Sequence, residues 1–78
     1  MKIGTIHIHL NGEDVTLIST DQYAEVTYED VVMLAGKQGT DYNIVYDNRR
    51  MLGGGTMEQP GDTATFYDGA HVYVYPGP

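Results

Sequence analysis

The residues from Val26 to Gly36 read as one short helix with both of its ends marked. Thr27 stands where a hydroxyl accepts one of the free backbone N–H groups of a first turn. Asp30 occupies the place where a capping box carries Glu or Gln, and Val26 and Val31 have the spacing of a hydrophobic staple. Gly36 supplies a left-handed stop. Tyr28, Val31, Val32 and Ala35 keep the i, i+3, i+4, i+7 spacing that places them on one stripe. A helix this short does not hold itself together in water, so its stripe must be buried against another element. The remainder of the chain therefore has to provide a sheet.

Strand patterns occupy most of that remainder. From Ile3 to Leu10, the apolar Ile6, Ile8 and Leu10 alternate with Thr5, His7 and His9, the period of a half-buried strand. Asn11 and Gly12 form a strong hairpin signal, because both residues tolerate positive φ. Val15 to Ile18 then reads as the returning antiparallel strand, and Ser19 to Glu25 as a polar connection. Beyond the helix, Gln38, Gly39 and Thr40 mark a loop, and Tyr42 to Tyr46 a third strand ended by Asp47 and Asn48. Met51 and Leu52 suggest a short edge strand before three consecutive glycines, Gly53 to Gly55, which read as a flexible loop. Pro60, Gly61 and Asp62 compose a turn. Thr63 to Tyr67 is a short strand, Asp68 and Gly69 a further turn, and His71 to Tyr75 the last strand.

This order of elements predicts an α+β architecture, the β-grasp or ubiquitin-like roll: a mixed sheet of four to five strands with one short helix on one face. The first and last strands then lie side by side and parallel in the middle of the sheet. Ile6, Ile8, Leu10, Ile44, Val72, Val74 and the helix stripe make one core. Seventy-eight residues are expected to form a single domain over residues 1–78, with residues 76–78 as a short C-terminal tail. A domain of this size buries only about two-thirds of its unfolded surface and has no room for a deep cavity.

Composition excludes several functions. The net charge of −7, with only Lys2, Lys37, Arg49 and Arg50 as cations, argues against binding a nucleic-acid backbone. Without cysteine there is neither a disulfide nor a zinc-thiolate site nor thiol chemistry. No apolar run approaches the length of a membrane span, and no basic segment precedes an apolar one at the N-terminus. A soluble cytoplasmic protein without a membrane or nucleic-acid partner is expected.

The run from Thr27 to Gly36 resembles the helix of the bacterial ubiquitin-like proteins known as multiubiquitin domains. The likeness continues through Asp41 to Tyr46, through Pro60, Gly61 and Asp62, and through Asp68 and Gly69 with the apolar strand that follows. Together these cover roughly the last two-thirds of the chain, in the family's order. The resemblance implies a protein modifier that is trimmed, activated at its C-terminus and attached to a target. Its implied partners are an E1-like activating enzyme, an E2-like protein and a JAB-type peptidase. The chain departs from the pattern by carrying one copy of the domain and by ending in Pro76, Gly77 and Pro78 rather than in a diglycine.

The tail admits two readings. Pro76 and Pro78 favour an extended backbone and offer no N–H to a ladder. Gly77 has no side chain beside its carbonyl, and removal of Pro78 leaves a glycine carboxylate suited to adenylation, so Gly77 and Pro78 are the candidate activation and conjugation site. The plainer reading is that these residues stop the last strand and blunt a sheet edge.

The face opposite the helix is left open in such a roll. There His7, His9, Val45, Tyr73 and Tyr75 come together as a candidate partner-binding surface, since aromatic side chains dominate interface hot spots; scattered exposed aromatics are also ordinary in strands. His7 and His9 project from one side of their strand, and His71 can approach from the last strand, but zinc requires three or four ligands and no metal or other cofactor is assigned. Gly53 to Thr56 lacks the lysine and the following helix of a phosphate-binding loop. Glu29 and Asp30 suit the helix macrodipole. No nucleophile has a visible base and orienter, so no catalytic residue is assigned and an enzyme is not expected. Two functions remain, a conjugated modifier and an interaction module that binds through its open face without being conjugated. A sulfur carrier of the thiamine or molybdopterin type is disfavoured by the missing Gly-Gly end.

Overall fold

The structure, a computed structural model, describes residues 4–19, 21–49 and 53–77. The expected start of the first strand at Ile3, the short strand at Met51 and Leu52, and Pro78 lie outside the described residues. The elements run β1 (Gly4–Leu10), β2 (Glu13–Ser19), β3 (Tyr23–Thr27), α1 (Tyr28–Leu34), β4 (Tyr42–Asp47), β5 (Gly54–Met57), β6 (Thr63–Tyr67) and β7 (His71–Pro76). Five strands form a mixed sheet in the order β2-β1-β7-β4-β5, and β3 pairs with β6 in a second, two-stranded sheet. β1 and β7 are parallel and central, and the other neighbours are antiparallel. The fold is α+β.

The β1–β2 hairpin turns on Asn11 at φ 51° and Gly12 at φ 84°, the pair of positive dihedrals that matches the twist of a two-residue loop. Helix α1 begins as its sequence requires: the Thr27 hydroxyl accepts the Asp30 N–H at 3.2 Å. The turn at residues 60–62 completes the start. The Tyr28 N–H donates to the Asp62 carbonyl, and the Glu29 carboxylate accepts the Gly61 N–H at 3.0 Å. At the other end, Gly36 at φ 75° donates to Met33 while Lys37 donates to Val32, the paired closure of a Schellman motif. Tyr28, Val31 and Val32 are buried with Ile6, Ile8, Leu10, Ile44, Val72 and Val74, as the spacing requires, and Ala35 packs at the margin.

Four details differ from the sequence reading. The first is β3: Tyr23 to Glu25, expected as polar connection, pair with Thr65 to Tyr67. The buried Ser19 hydroxyl ties the connection together: it accepts the Asp21 N–H at 3.1 Å, and its single hydrogen is shared between the Asp21 and Tyr23 carbonyls, which brings β2 back towards β3. The second is the glycine segment, where Gly54 to Met57 form edge strand β5. Here small size is the requirement: a Cβ on Gly54 would lie 2.7 Å from the Tyr46 carbonyl oxygen, and one on Gly55 would lie 3.1 Å from the Tyr46 hydroxyl. The third is a larger core, to which Val26, Met57, Ala64, Phe66 and Ala70 also belong.

The fourth concerns the tail. Pro76 is the last residue of β7, opposite Tyr42, and the Gly77 N–H donates to the Asp41 carbonyl at 2.9 Å. Bonding alternates along an antiparallel pair, so Pro76 falls where the nitrogen points away from β4 and needs no hydrogen. The chain therefore stays on the sheet through Gly77.

One buried hydroxyl closes an edge that none of the described strands reaches. The backbone N–H and C=O of Tyr42 face the β5 side of β4, beyond the end of β5. The Tyr28 hydroxyl crosses the core, donates to the Tyr42 carbonyl at 2.7 Å and accepts from its N–H at 3.3 Å. Tyr28→Phe keeps the packed ring but strands both groups, and should lower stability by about 1–3 kcal/mol in a denaturant melt. Hydrogen exchange at the Tyr42 amide should accelerate selectively; unchanged stability and exchange would mean the hydroxyl has no such role.

Candidate functional site

Because side chains alternate along a strand, the residues that do not enter the core share the opposite face of the five-stranded sheet. His7 and His9 from β1, Tyr73 and Tyr75 from β7 and Val45 from β4 all lie there. Val45 is directly opposite Tyr73, and both are well exposed at 37% and 48%. The five expected residues thus occupy one face, but they do not form one cluster.

The register explains why. β1 and β7 meet with His9 beside His71 and Leu10 beside Val72. His7 lies two residues below that level and Tyr75 four above it, which separates them by roughly 20 Å along the strands. The result is a diagonal stripe in three parts. At one end stand Tyr73, Tyr75, Val45 and Asn43, an aromatic and aliphatic patch. At the other are His7, Thr16 and Ile18, and Ile18 is the most exposed large apolar residue among those described, at 78%. Sequence reading placed Ile18 in a strand without assigning it to the surface; its odd-even position relative to Leu17 carried that information.

Between the ends runs a titratable band across four strands: Asp14, His9, His71 and Asp47, each in register with the next. The His9 and His71 rings stand 4.6 Å apart between centroids. His9 Nδ1 is 2.8 Å from an Asp14 carboxylate oxygen, which orients the ring. His7 Nδ1 is 3.2 Å from the Thr16 hydroxyl oxygen, and the His7 N–H donates to the Asp68 carboxylate at 2.7 Å. Partial burial lowers the pKa of His71, as do the nearby Arg49 and His9, while Asp47 opposes them. Among the described residues no group of three or more His, Cys, Asp or Glu side chains is placed to hold a metal ion.

Gly77, the other candidate site residue that is described, lies beside this face rather than away from it. A Cβ there would run into the Asn43 carboxamide, the neighbour of Tyr75 in the register. Among the described residues no helix is long and apolar enough to cross a membrane. No protein-family model, curated protein or solved structure matches this chain.

The band makes a definite titration prediction. His71 should titrate below the ordinary imidazole value of about 6.5 when followed by its ring proton shifts. Arg49→Gln should raise the midpoint and Asp47→Asn should lower it further. Since the folded state disfavours the proton, this group's contribution to stability is present above the ordinary value and is lost as pH falls through the lowered one. A midpoint at or above the ordinary value would show that Asp47 outweighs the other neighbours.

Proposed function

We propose that this chain is a β-grasp protein modifier of the ubiquitin-like kind, activated at its C-terminus by an E1-like enzyme and attached to a target protein. The observation that carries this reading is the central parallel pair of β1 and β7 in the order β2-β1-β7-β4-β5, with α1 buried against one side. Such a sheet sends its last strand out from the middle, past Val45 and Tyr73, so that one partner can grip the open face and reach Gly77 and Pro78. In this reading the chain is a substrate of cytoplasmic enzymes, with an E2-like protein and a JAB-type peptidase as further partners, and performs no catalysis of its own. Trimming of Pro78 exposes the Gly77 carboxylate. Attack of that carboxylate on the α-phosphate of ATP releases pyrophosphate and leaves an acyl adenylate.

The bond from Gly77 to Asp41 favours a second reading, an interaction module whose end is fixed to its own sheet and is never conjugated. Activation requires that bond to break, so the enzyme must replace it with contacts of its own. The two readings differ in intact mass. Incubation with the cognate E1-like enzyme and ATP should yield an adenylate or covalent adduct of the modifier, and none of a module.

Gly77→Val should abolish the adduct. Because the valine also meets Asn43, the same substitution is to be made with Asn43→Ala, which removes that obstacle. A block that persists in the double variant places the hindrance at the reacting end; full recovery would locate it on the sheet and count against activation there. Tyr73→Asp should weaken binding of the enzyme by about 2 kcal/mol without lowering the melting temperature. A chain ending at Tyr75 that is still conjugated as well as the parent would replace the modifier reading by the module.

A further inference from the structure

We propose that Asn11 and Gly12 form a covalent modification site, at which conversion of the Asn11 carboxamide to an acid unfastens the end of β7. This inference rests on the hairpin turn and does not depend on C-terminal activation.

The pair carries the chemistry for this with water as the sole co-reactant. The Gly12 backbone nitrogen, on losing its proton, attacks the side-chain carbonyl carbon of Asn11. A C–N bond forms and the C–NH2 bond breaks. The departing nitrogen takes up a proton and leaves as ammonia, so that a five-membered succinimide joins the two residues. Water then adds to either carbonyl of that ring. One opening gives aspartate, and the other gives isoaspartate, in which the main chain runs through the side-chain methylene. The attack is least hindered where the following residue has no Cβ. Asn11 precedes a glycine, whereas Asn43 is followed by Ile44 and the buried Asn48 by Arg49. Asn11 and Gly12 are both exposed, so water has access to the turn.

The fold holds the pair in its unreacted form. The Asn11 N–H donates to the Val72 carbonyl, and the Asn11 carboxamide is engaged on both the N–H and the C=O of Val74. Closing the ring swings the side-chain carbon back over the Gly12 nitrogen, which it reaches only after leaving Val74. The reaction therefore passes through a local opening of the hairpin end, and its rate follows the population of that open form.

The product cannot re-form the contact. Along β7, His71, Tyr73, Tyr75 and Gly77 direct their backbone groups to the β4 side, and Val72 and Val74 direct theirs to the β1 side. β1 ends at Leu10, so among the described residues Asn11 is what holds Val74 on that side. An aspartate carboxylate has no hydrogen to donate and sets an oxygen against the Val74 carbonyl. Isoaspartate leaves no carboxamide at all, and it adds one main-chain atom to a turn whose two-residue length sets the Leu10–Glu13 pairing. Pro76 has no N–H to offer in compensation. The segment from Val74 to Gly77, which carries Tyr75, is then held from the β4 side alone, and the change is one-way.

The test follows the full chain at mildly alkaline pH by peptide mapping and mass spectrometry, beside a capped peptide of the turn, HLNGEDV. Asn11 in the folded chain should react about ten- to a hundredfold more slowly than in the peptide and should reach the peptide's rate in denaturant. Asn43 and Asn48 should still be intact at that stage. Hydrogen exchange is then measured on the separated isoaspartate form and on Asn11→Asp. In both, the Val74 and Gly77 amides should exchange roughly tenfold faster than in the parent, with a smaller change at Ile44. Four results would each overturn the proposal: a folded chain that reacts as fast as the peptide, no product at Asn11 after roughly a hundred peptide half-lives, Asn43 or Asn48 reacting before Asn11, or parental exchange at Val74 in both altered chains.

Discussion

β1 and β7 run parallel but meet directly only over His9–Leu10 and His71–Val72, because β1 turns back at Asn11 while β7 continues to Pro76. Most of what the molecule presents to a partner is set by that stagger. It brings His9 onto His71 and so creates the titratable band, and it carries Tyr73 and Tyr75 past the hairpin to stand beside Val45 and Asn43 alone. With both strands in full register the aromatic residues would lie level with the β1 histidines, and the face would be one mixed patch. The offset divides it into an apolar end, a polar middle and a second apolar end at Ile18.

A staggered sheet leaves backbone groups without a neighbouring strand, and leaving them unpaired when buried costs about 1–3 kcal/mol each. Three side chains stand in for the missing strands. Beyond the hairpin, the Asn11 carboxamide accepts the Val74 N–H at 2.8 Å and donates to its carbonyl at 3.2 Å, so that it acts as one more peptide group of β1. Asn48, nearly fully buried, donates to the Thr65 carbonyl and accepts the Tyr67 N–H, tying the end of β4 to the outer edge of β6. Tyr28 closes β4 at Tyr42 from below. Among the described residues every buried side-chain polar atom has a partner. A small domain with little core cannot leave such groups open, and these side chains satisfy them without added strands.

The sequence made some of this legible and hid the rest for physical reasons. Periodicity identified β1, β7 and the helix stripe because each buries one face against solvent on the other. The hairpin and the helix stop followed from residues whose backbone conformations are distinctive. β3 was hidden because Ala24 and Glu25 have little strand propensity and Val26 was already accounted for by the staple. β5 was hidden because glycine reads as a loop, although at Gly54 and Gly55 its value lies in close approach to Tyr46. The sharing of a face by His7, His9, Val45, Tyr73 and Tyr75 could be read from alternation, but their spread along a diagonal could not. That depends on the β1–β7 register, which is set by contacts across more than sixty residues of chain. The roles of Asn11, Tyr28 and Asn48 as strand partners depend on the same long-range geometry.

The dimensions of the helix also bear on where partners can act. Five strands spaced roughly 4.8 Å apart span about 19 Å from β2 to β5, whereas one helix is only about 10 Å across. A seven-residue α1 can cover the middle of such a sheet but not both margins. On the β5 side the remainder is covered by the β3–β6 pair, with Phe66 buried and Tyr46 packed against it at 5.3 Å. On the β2 side β3 approaches only in part, so Leu17 is partly buried and Met33 and Leu34 share a groove with Ala24 and Val26. The open face and the β2 edge offer different chemistry. The face presents side chains, the histidines of the central band among them, whereas the edge presents backbone groups beside an apolar groove with acidic flanks.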